Sequence, residues 1–190
     1  MAASEPSSGS YCAHVAALSE DNVHRNYHDT QYGFPVHSDD ELFGRLILEI
    51  NQAGLSWTTI LNKQANFKKA FDGYCIARIA AYDAKDVARL LGDAGIVRNR
   101  AKIAAVIHNA QQVEKLQLEF GSFKGWLDQH GNLELEQWVR LFKQTFKFTG
   151  VEITREFLVS TGYLPGAHAT DCPIAVILHT AATPQNHTRS

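Results

Sequence analysis

No stretch of this 190-residue chain has enough consecutive apolar residues to cross a membrane, and no basic segment followed by an apolar one marks a secretory leader. Neither membrane insertion nor secretion is therefore expected. We expect a cytoplasmic protein with no membrane partner.

Cysteine is scarce as well, with only Cys12, Cys75 and Cys172. An odd number of cysteines in a chain without a leader suits free thiols or metal ligands better than a disulfide framework.

Neither positive nor negative residues predominate, since the net charge is −2 and the isoelectric point is near 6.5. This balance argues against a bulk polyelectrolyte mode of DNA binding, although a local basic stripe would suffice. Charge therefore neither supports nor excludes DNA as a partner.

The apolar and polar alternation typical of strands never persists for the length of a strand. Apolar residues instead recur with a period near 3.6, which predicts helices over 83–92, 100–120, 122–129, 135–146 and 153–162. The predicted fold class is all-α, with short helices joined by tight, glycine-containing turns.

Residues 11–179 are predicted to form a single domain, because 45% hydrophobic content in a chain of this length supports one core. Residues 1–10 and 180–190 offer little to bury and are predicted to be disordered tails.

The stretch 48–57 combines a carboxylate, an amide pair, a glycine and a tryptophan, a mixture that suits a pocket better than a core. The helix leading into it is predicted to begin after Ser38, with Glu41 completing a capping box. Gly54 is predicted to end that helix, and Ser56 to cap the next one.

Glu49 lies on the edge of the apolar arc of that helix. A carboxylate aimed beside the core must find donors or a cation, because an unpaired buried charge is very costly. The spacing alone leaves two interpretations open: a pocket carboxylate, or a glutamate that reaches water or a neighbouring backbone group.

A second feature is the segment 90–100, which joins two helices through a turn that contains Gly95. The second helix would direct its first backbone amides outward, beside Arg98, Arg100 and Lys102, and helix N-termini with flanking cations bind phosphate. An ordinary helical hairpin with a solvated basic rim fits the same pattern.

Four residues from opposite ends of the chain are candidate metal ligands: Cys12, His28, His168 and Cys172. A Cys2His2 set suits tetrahedral zinc. By themselves the spacings match no zinc finger, and buried cysteines and capping histidines are common.

The sequence QAGLSW at 52–57, with a glutamate three residues earlier, resembles the motif of the 3-methyladenine DNA glycosylase I family of the helix-hairpin-helix superfamily. Further blocks resemble this family in the same order. They are YHD at 27–29, YGFP at 32–35, AGIVR at 94–98, KI at 102–103, FKFTG at 146–150, and His168 with Cys172.

The resemblance implies a compact helix-hairpin-helix glycosylase-like domain that hydrolyses the N-glycosidic bond of 3-methyladenine in double-stranded DNA by base flipping. It further implies one structural zinc per chain, held by the four Cys and His residues, that staples the N- and C-terminal segments together. We expect a monomer that acts in base excision repair.

The resemblance also implies residue roles. Glu49 would be the catalytic and base-recognising carboxylate, and Tyr27 and Trp57 would stack on the base. Leu55 would be the wedge that fills the gap left by the flipped base. The residues implied to anchor DNA are Gly95, Arg98, Arg100 and Lys102. No lysine nucleophile is poised at the hairpin, so no lyase step is expected.

The chain departs from the family pattern at His14, His24 and Tyr32, where the family commonly has tryptophan, tyrosine and tryptophan, and at 154–157, where charges replace small or apolar residues. These differences leave the range of excised bases open. They also leave a second hypothesis, a zinc-stapled DNA-binding or lesion-sensing protein with altered or lost excision.

Overall fold

The computed structural model describes residues 8–182, and side chains within 11–178. No strand occurs in that part of the chain, so the all-α prediction is confirmed there. The helices are α1 (Ser8–Ala16), α2 (Val23–Thr30), α3 (Asp39–Gln52), α4 (Trp57–Ala70), α5 (Ile76–Ala80), α6 (Ala84–Gly92), α7 (Arg100–Phe120), α8 (Phe123–Gln129), α9 (Leu135–Thr145), α10 (Val151–Ser160) and α11 (Pro173–Ala182). A 3-10 turn, Asp72–Tyr74, lies between α4 and α5.

The two predicted tails overlap described helices by three residues each, because α1 begins at Ser8 and α11 ends at Ala182. The remaining parts of both tails, 1–7 and 183–190, lie outside the described residues. None of the helices described is long and apolar enough to cross a membrane.

The helix starts follow the predicted caps. Ser56 accepts a hydrogen bond from the backbone of Thr59 and begins α4, as expected. Ser38 likewise accepts from the backbone of Glu41 at the start of α3. The predicted reciprocal half of that capping box is wrong, because the Glu41 carboxylate lies 3.7 Å from Arg45 instead.

Helix α3 is the centre of the core. All residues from 42 to 51 are buried, so the helix has no solvent face over nearly three turns. It packs against α4, α7, α8 and α10. A Cβ on Gly44 would come within 2.3 Å of the ring of Tyr74, so this position requires the close approach that only glycine allows.

A second, smaller apolar cluster lies beside the main core and contains Tyr27, Tyr32 and Leu61. Trp57, the first residue of α4, packs against both clusters. The end of α3, the start of α4 and the aromatic residues of α2 and the turn after it therefore meet at one place.

Candidate functional site

Glu49 lies one turn before the end of α3 and is only 4% exposed. Because α3 is enclosed on every side, Glu49 is an interior carboxylate rather than the edge-of-face residue that the periodicity indicated. Burial first, and then the charge of Glu49, raise the pKa of Tyr27 far above its ordinary value. The phenol of Tyr27 therefore stays neutral beside the Glu49 carboxylate.

Three aromatic rings pack together near Glu49, whose charge acts on the phenols of Tyr27 and Tyr32. The centroid of the Tyr27 ring lies 5.3 Å from that of Trp57 and 5.7 Å from that of Tyr32. Tyr27 is 2% exposed, whereas Trp57 is half-buried. Trp57 is therefore the ring of the pair with surface available to a ligand, and Tyr27 supports it from inside.

Sequence reasoning missed Arg45, which lies one helical turn before Glu49. Its guanidinium is 5.8 Å from the centroid of the Tyr27 ring, and the residue is only 7% exposed. A buried carboxylate needs a cation or donors nearby, and Arg45 places a positive charge on the same side of α3. The i, i+4 spacing to Glu49 was the signal that could have identified it.

The bend after α3 presents Leu55 at the surface. Gly54 has φ +79°, which favours glycine, and the backbone N–H of Leu55 donates to the carbonyl of Gln52 at 2.7 Å. The amide of Gln52 donates in return to the carbonyl of Leu55 at 3.2 Å. Leu55 is 40% exposed, an apolar side chain held outward at the tip of a tight turn.

The predicted hairpin between α6 and α7 is present at residues 93–99. Arg98 and Arg100 are exposed, so both guanidinium groups are accessible to a polyanion. The backbone N–H of Gly95 donates to the Asp93 carboxylate at 2.7 Å. This N–H is therefore bonded within the turn. The predicted outward amides are those of the first turn of α7, where the backbone N–H of Lys102 donates to the side chain of its cap, Asn99, at 3.1 Å.

Lys102 does not belong to this exposed set. It is 5% exposed, and its Nζ donates to the carbonyls of Asn51 and Ala53, each at 2.7 Å. Burial lowers the pKa of Lys102 from its ordinary value. The prediction that Lys102 contacts DNA is corrected, since its ammonium faces the end of α3 rather than solvent.

The four candidate metal ligands converge, although 160 positions separate the outermost pair in sequence. Their ligand atoms all lie within 4.8 Å of one another. The imidazole nitrogens His28 Nε2 and His168 Nδ1 are 3.1 Å apart. The sulfur-to-nitrogen distances run from 3.3 Å, between Cys12 and His28, to 3.9 Å, between Cys12 and His168.

The sulfur-to-nitrogen distances are close to those around a tetrahedral ion, and the outer limit of 4.8 Å is wider than that geometry requires. With zinc–sulfur bonds of about 2.3 Å and zinc–nitrogen bonds of about 2.0–2.1 Å, ligand atoms lie about 3.3–3.8 Å apart. The other ring nitrogens are bound outside the cluster: His28 Nδ1 donates to Asp29 and His168 Nε2 donates to the carbonyl of Tyr32, both at 2.7 Å. Both inward nitrogens thus present lone pairs, the arrangement that metal-binding histidines use.

The metal-ligand cluster joins α1 and α2 to the segment before α11. A four-ligand set leaves no open coordination position, so the cluster suits a structural role. Cys75 lies outside the cluster, as expected.

Two of the positions that depart from the family pattern, His24 and Tyr32, form three polar contacts. The ring of His24 lies between the hydroxyls of Tyr11, 3.2 Å from Nδ1, and Thr58, 2.8 Å from Nε2. Burial first, and then the neighbouring His14, lower the pKa of His24. The hydroxyl of Tyr32 donates to Glu156 of α10 at 3.4 Å, so the tyrosine at 32 and the charge at 156 are partners.

Sequence reasoning also missed Tyr11, whose ring has edge contacts with Tyr32 at 5.5 Å and with His28 at 5.7 Å. It connects the metal-ligand cluster to the aromatic cluster around Glu49. No pattern in the sequence distinguishes Tyr11 from an ordinary helix residue.

Residues 17–140 match the model of the methyladenine glycosylase family. The chain is 33% identical to DNA-3-methyladenine glycosylase 1 of Escherichia coli K12, over 82% of this chain and 92% of that protein. It is 30% identical to the DNA-3-methyladenine glycosylase of Haemophilus influenzae, over 82% of this chain and 94% of that protein. The structure of 3-methyladenine DNA glycosylase I from Staphylococcus aureus is similar, with a TM-score of 0.75 and 32% identity, covering 82% of this chain and 93% of that chain.

Proposed function

The chain belongs to the methyladenine glycosylase family, and from this premise we propose that it excises 3-methyladenine from alkylated DNA as the first step of base excision repair. The observation that carries the proposal is the enclosed Glu49 carboxylate, which acts on the phenols of Tyr27 and Tyr32 and lies six residues before the exposed Leu55. Trp57 packs against Tyr27. A carboxylate with an aromatic surface suits a flat, cationic ligand.

The reaction is hydrolysis of one bond. Alkylation at N3 leaves the adenine positively charged, so the bond between C1′ of the sugar and N9 of the base is already weakened. When that bond breaks, its electron pair neutralises the departing base. The oxygen of a water molecule bonds to C1′, and one proton is released.

Glu49 would contribute by accepting hydrogen bonds from the N6 amino edge of the flipped base and by attracting its positive charge. Trp57 would stack on the base, with a cation–π contribution of about 0.5–2 kcal/mol. Tyr27, which is buried behind Trp57, would hold that ring in place.

Double-stranded DNA would bind across the hairpin and the bend. Arg98 and Arg100 would contact phosphates, and Leu55 would enter the duplex where the lesion has left the stack. The outward position of all three side chains supports these roles. The Lys102 ammonium is bound to two carbonyls, which supports hydrolysis without a lyase step.

One zinc ion would be held by Cys12, His28, His168 and Cys172 and would staple the N- and C-terminal segments, a role supported by the closed four-ligand set. The expected monomeric state and cytoplasmic location remain predictions.

The test is the release of free bases from DNA treated with dimethyl sulfate, resolved by chromatography. The proposal predicts that 3-methyladenine appears in the soluble fraction. Release of a different alkylated purine would mean that the polar contacts at His24 and Tyr32 have changed the base range. DNA binding without any release would favour the lesion-sensing hypothesis instead.

A further inference from the structure

The contact between α7 and the end of α3 joins two parts of the proposed DNA-binding surface. Lys102, in the first turn of α7, sends its Nζ to the carbonyls of Asn51 and Ala53. Carbonyls at the end of a helix have no intrahelical donor, and a cation there also complements the helix dipole. The Lys102 ammonium therefore caps the helix that carries Glu49.

A second lysine makes the same kind of contact in the opposite direction. Lys63 of α4 donates through Nζ to the carbonyls of Ala94, at 3.0 Å, and Gly95, at 3.2 Å. Helix α4 begins directly after the bend that carries Leu55. Lys63 of α4 thus binds the hairpin that precedes α7, and Lys102 of α7 binds the bend that precedes α4.

These two lysines restrain the bend after α3 and the hairpin before α7 relative to each other. We propose that Lys102 is a positioning residue, which sets Leu55 and Glu49 at a fixed distance from the phosphates that the hairpin binds. The inference rests on the proposed function, because it takes DNA as the ligand and base excision as the reaction.

A residue that only positions Leu55 and Glu49 should affect the rate of base release more than the affinity for DNA. A misplacement of about 1 Å between a reacting group and its target can cost roughly 100-fold in rate. Lys102 itself touches no phosphate, since it is 5% exposed and its ammonium is bound to two carbonyls. Its loss should therefore leave the salt dependence of DNA binding unchanged.

The variant Lys102→Met keeps most of the side-chain volume and removes the donors. We expect its single-turnover release of 3-methyladenine to be roughly 10–100-fold slower than that of the natural protein. The slope of the logarithm of DNA affinity against the logarithm of salt concentration should not change. The matched control is Lys124→Met, whose lysine binds Asp128 on α8 and should be dispensable for both quantities.

A second readout does not depend on excision. In a duplex with an abasic-site analogue beside 2-aminopurine, insertion of Leu55 changes the fluorescence of the neighbouring base. The natural protein should produce this change at saturation, and Lys102→Met should produce a smaller one. This measurement tests the inference even if no base is released, so failure of the proposed function is distinguished from failure of the inference.

Three results would overturn the inference: an unchanged release rate in Lys102→Met, an unchanged fluorescence response, or a fall of about one in the salt slope. The last would show that Lys102 contacts a phosphate. If Lys102→Met does not fold, Lys102→Arg serves in its place, because arginine keeps the charge and the donors but alters their reach. The release rate of Lys102→Arg should fall at an unchanged salt slope, and equality with the natural protein would contradict the positioning role.

Discussion

The ring of Tyr27 meets the ring of Trp57 edge to face, with centroids 5.3 Å apart and planes at 65°. The two rings therefore do not form parallel walls between which a base could lie. Trp57 keeps exposed surface while Tyr27 is 2% exposed, so the pair consists of a contact ring and its support.

This geometry leads to a prediction for Tyr27→Phe. The variant keeps the supporting ring and loses a hydroxyl that bonds to Ser160, which should lower the free energy of unfolding by about 1 kcal/mol. Base release should change by only a few-fold. Denaturant unfolding and single-turnover release measure the two effects. Abolished release at unchanged stability would mean that the phenol takes part in the chemistry.

The bend after α3 makes a separate prediction. Leu55→Ala should reduce base release by about tenfold, the effect of losing roughly 1.4 kcal/mol of apolar burial in the duplex. Because Leu55 is 40% exposed, unfolding stability should change by less than about 0.5 kcal/mol. Leu118, which is 88% exposed on α7, is the matched control: Leu118→Ala should leave release unchanged. Equal release rates in the Leu55→Ala variant and the natural protein would remove the wedge role.

The exposed arginines of the hairpin are tested by their salt dependence. The double variant Arg98→Ala with Arg100→Ala should weaken DNA binding and lower the salt slope by about 1.8, since each phosphate contact contributes about 0.9. Arg140, exposed on α9, provides the control substitution. An unchanged slope in the double variant would leave the hairpin an ordinary helical connection.

The metal-ligand cluster is tested through a residue outside it. Asp29 accepts a hydrogen bond from His28 Nδ1, and loss of such a partner typically costs about 10–100-fold in metal affinity. Asp29→Asn should therefore lose zinc to a competing chelator at a correspondingly lower concentration. Native mass spectrometry should find one zinc ion per chain in the natural protein and in a Cys75→Ser control. A folded natural protein without metal would refute the zinc assignment.

Much of the fold follows from local signals in the sequence. The apolar period predicts a helix over 100–120, and α7 has these bounds. Asn99 caps its start, and Gly121 adopts the left-handed conformation at its end. The end of α3 just before Gly54 and the start of α4 just after Ser56 are set by equally local signals. Caps and glycine turns depend on neighbours within a few residues, so periodicity and turn chemistry suffice to find them.

The geometry of the candidate site depends on contacts between residues far apart in the sequence, which no local sequence pattern predicts. Lys102 binds carbonyls about 50 positions earlier in the chain, so sequence position alone indicated a basic rim where the structure has an interior contact. Glu49 is buried because other helices enclose α3 from several directions. The apolar period of a helix predicts only which one of its faces is buried. The hydrogen bond from Tyr32 to Glu156 likewise joins two positions that are 124 residues apart, and the sequence shows them only as separate departures from the family pattern.

The central claim concerns Glu49, and the most direct measurement is single-turnover release of 3-methyladenine by the Glu49→Gln variant. The substitution keeps the shape of the side chain and removes its charge. The account predicts release at least about 100-fold slower than in the natural protein, the typical loss when one electrostatic contact to the reacting group is removed. DNA affinity and unfolding temperature should stay close to those of the natural protein. Release by Glu49→Gln at the natural rate would contradict the assignment of Glu49 as the catalytic carboxylate.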